Sequence, residues 1–346
     1  MPKQPGKRNK SVAVAIEIAG SAAKIALVDR SGSIQRRVDA RTLWGRSSLA
    51  TLEPYLRSIE DMLAYAKGQG WRVRGIGVAL PGILDAEARR PLHLPVLPSL
   101  NNFPLCDLLE ARYKLPAHLV VDVDAALIGE WYHGAGQGYE RLLYITLNAV
   151  VGASSIIDGQ LVRGAGGSQS AVGHVAHVTI SAAGQRCGCG KRGCINSFVS
   201  QEALQKMVLR ALRRDEETSL SQRLAQREPL SVQMLVEEAQ RGDSVAKYIY
   251  YDIERWLSEA IARALRLFEP DILILGGAMP TTSPTFLARI REAGMTADYG
   301  FHIAKTELGS DGTLIGVTTP FFTRRPDPVT ESHIPALYKV QADTPL

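Results

Sequence analysis

Apolar runs separated by turn signals define the predicted elements of the first half of the chain. Residues 11–34, SVAVAIEIAGSAAKIALVDRSGSI, contain two apolar runs joined by small residues and followed by the turn signal DRSG. This pattern predicts a β-hairpin. Apolar residues then recur on one helical face over residues 49–68, which predicts a helix. The segment VRGIGVALPGILD predicts a buried strand that runs into a Pro-Gly turn.

The next segment, LPAHLVVDVDAALIGEWYHGAG, predicts a short strand followed directly by a helix. Two carboxylates, Asp122 and Asp124, stand where the strand ends. In an α/β fold, a strand that ends at a carboxylate indicates a ligand crevice.

The second half of the chain repeats this theme. The segment RLLYITLNAVVGASSIIDGQLV predicts strand, turn and strand, with Asp158-Gly159 closing a type I′ hairpin. A helical region is predicted over residues 200–264, with breaks near 228–229 and 242–243. EPDILILGGAM predicts a buried strand that ends at Gly276-Gly277.

This order of elements predicts two α/β domains with a ligand cleft between them. With 346 residues, of which 45% are hydrophobic, the chain is long enough for two cores. The last helix is expected to pack back on the first domain. The predicted parts are a basic disordered tail (1–10), an N-terminal domain (11–133), a C-terminal domain (134–322) and a second tail (323–346).

Charge and hydropathy narrow the possible partners. The net charge is +5, and part of this excess lies in the first ten residues, which contain four basic and no acidic side chains. We interpret this tail as a solvated terminus; contact with phosphate backbones is the alternative. No apolar run approaches the roughly 20 residues that span a bilayer, so we expect no membrane contact.

The most informative motif is GHVAHVTISAAGQRCGCGKRGC, which contains His177, Cys187, Cys189 and Cys194 within eighteen residues. Imidazole and thiolates are zinc ligands, and four protein ligands are typical of a closed structural zinc site. Three glycines supply the tight loop that lets the thiols converge. The alternatives are a turn with free thiols or a disulfide pair. Cys106 is predicted to be a small buried apolar residue, and the odd set of thiols favours a reducing, cytoplasmic location.

These motifs resemble those of the ROK family (repressor, open reading frame, kinase) from about residue 12 to 322. The family's zinc motif is GH followed by CxCGxxGC; LPG, IIDGQLVRGAGG, EWYHGAG and ILGGA also fit, in the family's order. The resemblance implies an actin/hexokinase-like, ribonuclease H-like α/β fold of two domains, with a structural zinc loop over residues 177–194. It also implies a homo-oligomer, either a dimer or a tetramer.

The motifs that bind the nucleotide in the family's kinases are altered in this sequence. Their first phosphate loop resembles DIGGT, which is EIAGS here; their second resembles GTGIG, which is NAVVG at residues 148–152. Methyl and β-branched side chains stand where bare backbone would cradle phosphate. A glycine pair survives where the family holds adenosine. The degenerate nucleotide-binding positions are therefore Glu17, Gly20, Ser21, Gly152, Gly276 and Gly277.

The positions that bind the sugar in the family's kinases are altered as well. Asp122 falls on the family's catalytic base, a role it would have only in a kinase, whereas Val121 replaces a sugar-binding asparagine. His174 and Asn196 replace two glutamates that face the sugar. The positions that the resemblance assigns to sugar binding are Asn101, Asn102, Asp122, His174, His177 and Asn196.

These departures favour a regulator-like member of the family, a non-kinase sensor of a sugar or sugar phosphate. The long helical insert over residues 201–235 also resembles the regulator branch. One alternative is an ATP-dependent sugar kinase in which Glu17 holds Mg²⁺. Another is an interaction module without a ligand, its cleft filled by Val121, Val150 and Val151.

Family repressors carry a winged helix-turn-helix ahead of the region that starts here near residue 11. Ten residues cannot form one, so we expect no DNA-binding domain in this chain. Regulation would then follow loss of that domain, contact with a protein partner, or pairing with a DNA-binding relative.

Overall fold

A computed structural model describes residues 10–323, without 20–21, 43–44, 46, 165–171, 215–216, 229, 278–282 and 296–299. The two predicted tails, apart from Lys10 and Thr323, lie outside the described residues. So do Gly20 and Ser21 of the first phosphate loop.

Strands and helices alternate along most of the chain. The strands are β1 (Ser11–Ile18), β2 (Ala22–Asp29), β3 (Ile34–Arg41), β4 (Arg72–Leu80), β5 (Ile83–Leu84), β6 (Pro91–His93), β7 (Ala117–Val121), β8 (Leu142–Leu147), β9 (Val151–Ile157), β10 (Gln160–Leu161), β11 (Ile272–Gly277) and β12 (His302–Lys305). The helices are α1 (Ser48–Gly68), α2 (Leu105–Tyr113), α3 (Asp122–His133), α4 (Asn196–Val199), α5 (Gln201–Leu212), α6 (Leu220–Ala225), α7 (Val232–Gln240), α8 (Ser244–Phe268), α9 (Pro284–Met295) and α10 (Gly312–Thr318).

The first sheet has the strand order β3-β2-β1-β4-β7. β1 and β2 form the predicted antiparallel hairpin, in which Glu17 lies opposite Lys24. β4 is parallel to β1, and β7 is parallel to β4. β3, which the sequence reading missed, lies at the sheet edge and is mostly polar, so its sequence lacks an apolar run.

The second sheet has the order β10-β9-β8-β11-β12. β8 and β9 are antiparallel, whereas β11 is parallel to both β8 and β12. Asp158 and Gly159 have φ of 51° and 73°, the signs that a type I′ turn requires, which confirms the predicted hairpin.

Helix α3 lies between the two sheets and joins their cores. Leu127 and Trp131 belong to the same buried cluster as Tyr144 of the second sheet. On its other side, Ala125 and Ile128 are buried with residues of β1, β2 and α10. The helix therefore contacts both sheets, as its almost uninterrupted burial requires.

Helix α10 returns to the first sheet and crosses α3 at close range. A Cβ atom on Gly129 would lie 2.4 Å from the carbonyl oxygen of Gly312, and one on Gly316 would lie 1.8 Å from that of Ala125. Only glycine leaves room for this approach. The two helices therefore form one tightly packed pair beside the first sheet.

The predicted helical region over residues 200–264 is confirmed as α5 to α8. Asp243 accepts a hydrogen bond from the amide of Ala246 and so begins α8, at one of the two predicted breaks. A break between α5 and α6 was not predicted, and Pro229 lies outside the described residues. The buried face of α8, which includes Ile253, Leu257 and Ile261, packs with the outer face of the second sheet. No helix in the described part of the chain has the length and apolar character needed to cross a membrane.

Candidate metal centre and inter-sheet cleft

Four side chains of the cysteine loop converge on one point. The ligand atoms of His177, Cys187, Cys189 and Cys194 all lie within 4.8 Å of one another. Nδ1 of His177 is 3.5 Å from Sγ of Cys187, and the Sγ atoms of Cys189 and Cys194 are 3.6 Å apart. Tetrahedral zinc, with bonds of about 2.0–2.3 Å, separates its ligand atoms by about 3.5–3.8 Å. The residues present therefore fit a four-coordinate metal ion.

Backbone hydrogen bonds and glycines shape this loop. The amide of Cys187 donates to the carbonyl of Lys191 at 2.8 Å, and that of Gly190 donates to Cys187 at 3.0 Å. Gly193 has φ of 69°, and a Cβ atom there would lie 1.6 Å from the carbonyl oxygen of Ser181. Gly193 is thus required for the turn that brings the thiols together.

The loop holds its ligands in different electrostatic settings. The backbone amide of Lys191 lowers the pKa of Cys189, whereas burial raises the pKa of Cys194 to about 12. Burial also lowers the pKa of His177, a shift that favours the neutral imidazole. Metal binding needs neutral imidazole and thiolates, and a divalent cation would favour the thiolate form at both cysteines.

Asn196 ties the metal loop to the second phosphate-loop position. It is 8% exposed, and its Oδ1 accepts a hydrogen bond of 2.8 Å from the amide of Val151. Next to it, the amide of Gln201 donates to the carbonyl of Ala149 at 2.9 Å. The chain after the last cysteine therefore holds the turn at residues 148–151, which we call the cleft turn.

Two amides of the cleft turn already have acceptors within the protein. The amide of Asn148 donates to the carbonyl of Val150, and Asn196 occupies the amide of Val151. An anion nest requires successive amides that point at the ligand. The side chain of Val150 is 54% exposed, so it projects from the turn, whereas Val151 is buried. Gly152 follows inside β9 and faces Val123 of α3.

The carboxylate at the first phosphate-loop position has a resident counter-ion. Nζ of Lys24 lies 3.0 Å from Oε2 of Glu17, and both side chains are mostly buried. The same ammonium donates to the carbonyl of Ser310 at 3.1 Å. The sequence reading missed Lys24, although its register opposite Glu17 in the predicted hairpin was a usable signal.

Asp122 and Asp124 have different environments although they are neighbours on α3. Asp122 is partly exposed and accepts from the amide of Val123 at 2.8 Å. Burial raises the pKa of Asp122 to about 6, and the nearby charge of Glu17 acts in the same direction. Asp124 is 1% exposed and accepts a hydrogen bond of 2.6 Å from Ser154. Only Asp122 is available to a ligand.

The glycine pair at the end of β11 is required by its packing. A Cβ atom on Gly276 would lie 2.2 Å from the hydroxyl of Tyr144, and one on Gly277 would lie 2.2 Å from the carbonyl of Leu147. Gly277 also has φ of 65°. Both glycines therefore have a structural reason that is independent of a nucleotide.

The positions assigned to sugar binding are only partly brought together. His177 and Asn196 line one pocket of about 150 Å³ beside the cleft turn, with Val150, Arg186 and Lys206. The other four positions do not line it. Among them, Asn101 uses Oδ1 to accept from the amide of Leu94 at 2.7 Å, while Asn102 and His174 are exposed. The sequence reading also missed Arg186 and Lys206, since single basic residues on loops and helices give no distinctive signal.

Two five-stranded sheets around a shared helix, with this cysteine loop, define the class of mixed α/β proteins that includes sugar kinases and sugar-responsive regulators. The profile of the ROK family matches residues 13–311. The chain therefore belongs to the ROK family.

Relatives of both kinds are similar to this chain. It is 26% identical to a glucokinase of Thermotoga maritima over 314 residues, which covers 88% of this chain and 96% of that protein. It is also 26% identical to the DNA-binding transcriptional repressor Mlc of Escherichia coli, over 78% of this chain and 66% of the repressor. It spans about half, 54%, of the length of the E. coli regulator NagC and of a xylose repressor of Caldicellulosiruptor bescii.

Solved structures of both a kinase and a regulator are similar to this chain. A glucokinase of Streptomyces griseus, in complex with glucose and AMPPNP, matches 88% of this chain with a TM-score of 0.70 and 26% identity. A ROK transcriptional regulator homologous to E. coli Mlc matches 92% with a TM-score of 0.78 and 21% identity, which shows a shared fold. The fold is therefore common to the kinases and the regulators.

Proposed function

We propose that this protein is a regulator-like ROK member that senses a sugar or sugar phosphate and does not phosphorylate it. The observation that carries this proposal is the ion pair between Glu17 and Lys24. A kinase needs a free carboxylate here to hold Mg²⁺ beside the phosphates of ATP. Lys24 supplies a positive charge within the protein, and a cation that entered would have to displace it.

The bond between the cleft turn and Asn196 supports the same proposal. The amide of Val151 donates to Asn196, so it is not free for a phosphate oxygen. Electrostatic stabilisation by positioned donors is the main contribution of a protein to phosphoryl transfer. Both phosphate-binding positions that the structure describes are thus altered in a direction unfavourable to ATP.

For the metal centre we propose a structural Zn²⁺ held by His177, Cys187, Cys189 and Cys194. Three thiolates and one imidazole suit zinc, and four protein ligands leave no position for water or substrate. The metal would stabilise the loop, and through Asn196 the cleft turn, without taking part in chemistry. A thiol set of this kind suits a reducing cytoplasm.

For the sugar we propose the side of the cleft around Asp122, His174, His177 and Asn196, with Asn101 and Asn102 at its rim. Support comes from the glucose complex of the S. griseus relative and from the accessible carboxylate of Asp122. We also propose a homo-oligomer. The exposed apolar residues Tyr248, Tyr251 and Leu267 of α8 offer surface for one, or for another protein partner.

One observation favours a sugar kinase as the second candidate. The pKa of Asp122 is raised to about 6, which suits a general base that works near neutral pH. In that case Asp122 would accept the proton of the sugar hydroxyl, and Glu17 would hold Mg²⁺ of ATP after losing Lys24.

Calorimetric titration with Mg-ATP, hexoses, amino sugars and their 6-phosphates, together with an assay for ADP release, separates the two. We expect heat from a sugar or sugar phosphate, none from Mg-ATP, and no ADP release above that of Asp122→Asn. Lys24→Met tests whether the ion pair with Glu17 excludes Mg-ATP. Heat from Mg-ATP should appear in this variant and not in the control Lys67→Met, which changes an exposed lysine of α1. Sugar-dependent ADP release by the unmodified protein would establish the kinase instead.

A further inference from the structure

The chain passes between the two sheets at two places in the described residues. The first crossing, residues 134–141, leads from α3 to β8, and the second, residues 306–311, leads from β12 to α10. α10 packs on α3 and on the first sheet. Any change in the angle between the sheets must therefore bend these two segments.

Glu130, near the end of α3, bonds to both crossings. It is 1% exposed. From the first crossing it accepts the amide of Ala135 at 2.9 Å. From the second it accepts the amides of Glu307 and Leu308, at 3.2 and 2.9 Å, and the hydroxyl of Thr306. A buried carboxylate with four donors is fully hydrogen-bonded, and such charge-assisted bonds are stronger than neutral ones.

The first crossing is shaped around this carboxylate. The backbone carbonyl of Glu130 also accepts from the amides of Gly134 and Gly136, at 3.0 and 2.9 Å. A Cβ atom on Gly134 would lie 2.2 Å from Oε2 of Glu130. The glycines of EWYHGAG therefore let the crossing fold back onto the carboxylate.

The second crossing is anchored to both sheets. The amide of Thr306 donates to the carbonyl of Leu275 in the second sheet, at 3.0 Å. Lys24 and Arg37 of the first sheet bind Ser310 and Asp311 at its other end, at 3.1 and 2.8 Å. Thr306 thus bonds to β11 through its amide and to Glu130 through its hydroxyl.

We propose that Glu130 is the positioning residue of an inter-sheet hinge. By holding both crossings to one carboxylate, it makes them bend together. The two sheets then open and close the cleft by a single coupled motion. Without this carboxylate the two crossings would bend independently, and the sheets would sample more orientations. The proposal concerns the hinge alone and holds whichever ligand the cleft accepts.

The test is a distance distribution between spin labels at Lys67 on α1 and Arg210 on α5, both exposed and outside the surface proposed for oligomer contact. Genetically encoded keto amino acids carry the labels, which leaves all four cysteines unmodified. Glu130→Gln places an NH₂ group against the amide donors. We expect a broader distribution than in the parent protein, with a melting temperature lower by roughly 4–8 °C.

Glu307→Gln is the matched control, because it makes the same change on an exposed side chain of the second crossing. Equal widths for Glu130→Gln and Glu307→Gln would overturn the proposal, whatever the melting temperatures. If Glu130→Gln does not fold, the variants Thr306→Val and Thr306→Ser test the hinge in its place. The valine variant should broaden the distribution and the serine variant, which keeps the hydroxyl, should not; equal widths would again contradict the hinge.

Discussion

The metal loop and the cleft turn are neighbours joined by Asn196, but they use their backbone amides differently. In the metal loop, amide bonds such as that from Cys187 to Lys191 fold the backbone, and the side chains remain available to a metal. In the cleft turn the amides would themselves be the binding groups, and those of Asn148 and Val151 are already bonded. Backbone bonding of this kind leaves side-chain ligands available, whereas it occupies amides that would otherwise bind an anion.

The largest effect should come from the metal loop. Cys189→Ser removes one of four ligands, so we expect loss of bound metal and a fall in the free energy of unfolding of about 4 kcal/mol at metal concentrations far above the dissociation constant. Metal content by mass spectrometry and thermal unfolding measure this. Cys106→Ser is the control for metal content, since buried Cys106 lies outside the cluster. Equal metal content in the Cys189 variant and the parent protein would disprove the assignment.

The second prediction compares a glycine at the cleft with one in the metal loop. Gly277→Ala should lower the free energy of unfolding by about 2–3 kcal/mol, because φ is positive and the new Cβ meets the carbonyl of Leu147. Gly188→Ala should change it by less than about 0.5 kcal/mol, since no atom lies within 4 Å of its Cβ position. Chemical denaturation measures both. If the two variants are equally stable, the packing explanation of the glycine pair is wrong.

The third prediction concerns the connection between the two regions. Asn196→Ala leaves the amide of Val151 without its acceptor, which should lower the free energy of unfolding by about 2 kcal/mol. Hydrogen exchange at Val151 should become faster. Asn196→Asp keeps an acceptor oxygen and should protect this amide. Unchanged exchange in the alanine variant would show that Asn196 does not hold the turn.

The smallest effect should appear at Asp122, and only above a certain pH. Its folded pKa of about 6 exceeds the usual 3.8, so the stability that protonation contributes is present at low pH and is lost as the pH rises through about 6. Asp122→Asn removes this loss. It should therefore raise the free energy of unfolding by about 1 kcal/mol at pH 7.5 and leave it unchanged near pH 4. The value at pH 7.5 is smaller than the full pKa shift would give, because Asp122 is partly exposed to solvent. A gain that is equal at both pH values would contradict the raised pKa.

Residue type and spacing were sufficient to predict the parts of this molecule whose structure depends on local sequence. The hairpins, α1, α3 and the convergence of His177 with three cysteines all follow from periodicity, turn residues or ligand chemistry. The pairing of Glu17 with Lys24 needed the register of a hairpin, and the bond from Val151 to Asn196 joins residues 45 positions apart. Strands β3 and β12 were missed because their side chains are largely polar or exposed.

The return of α10 to α3 also concerns how the chain folds as it is synthesised. The contacts that complete the face of the first sheet shared by α3 and α10 come from residues 312–318, about three hundred residues after β1. During translation, Ala125 and Ile128 of α3 are available early to cover part of that face, whereas the contacts with α10 form only after the second sheet has been synthesised. Contacts of such long sequence separation slow folding and prolong the exposure of apolar surface.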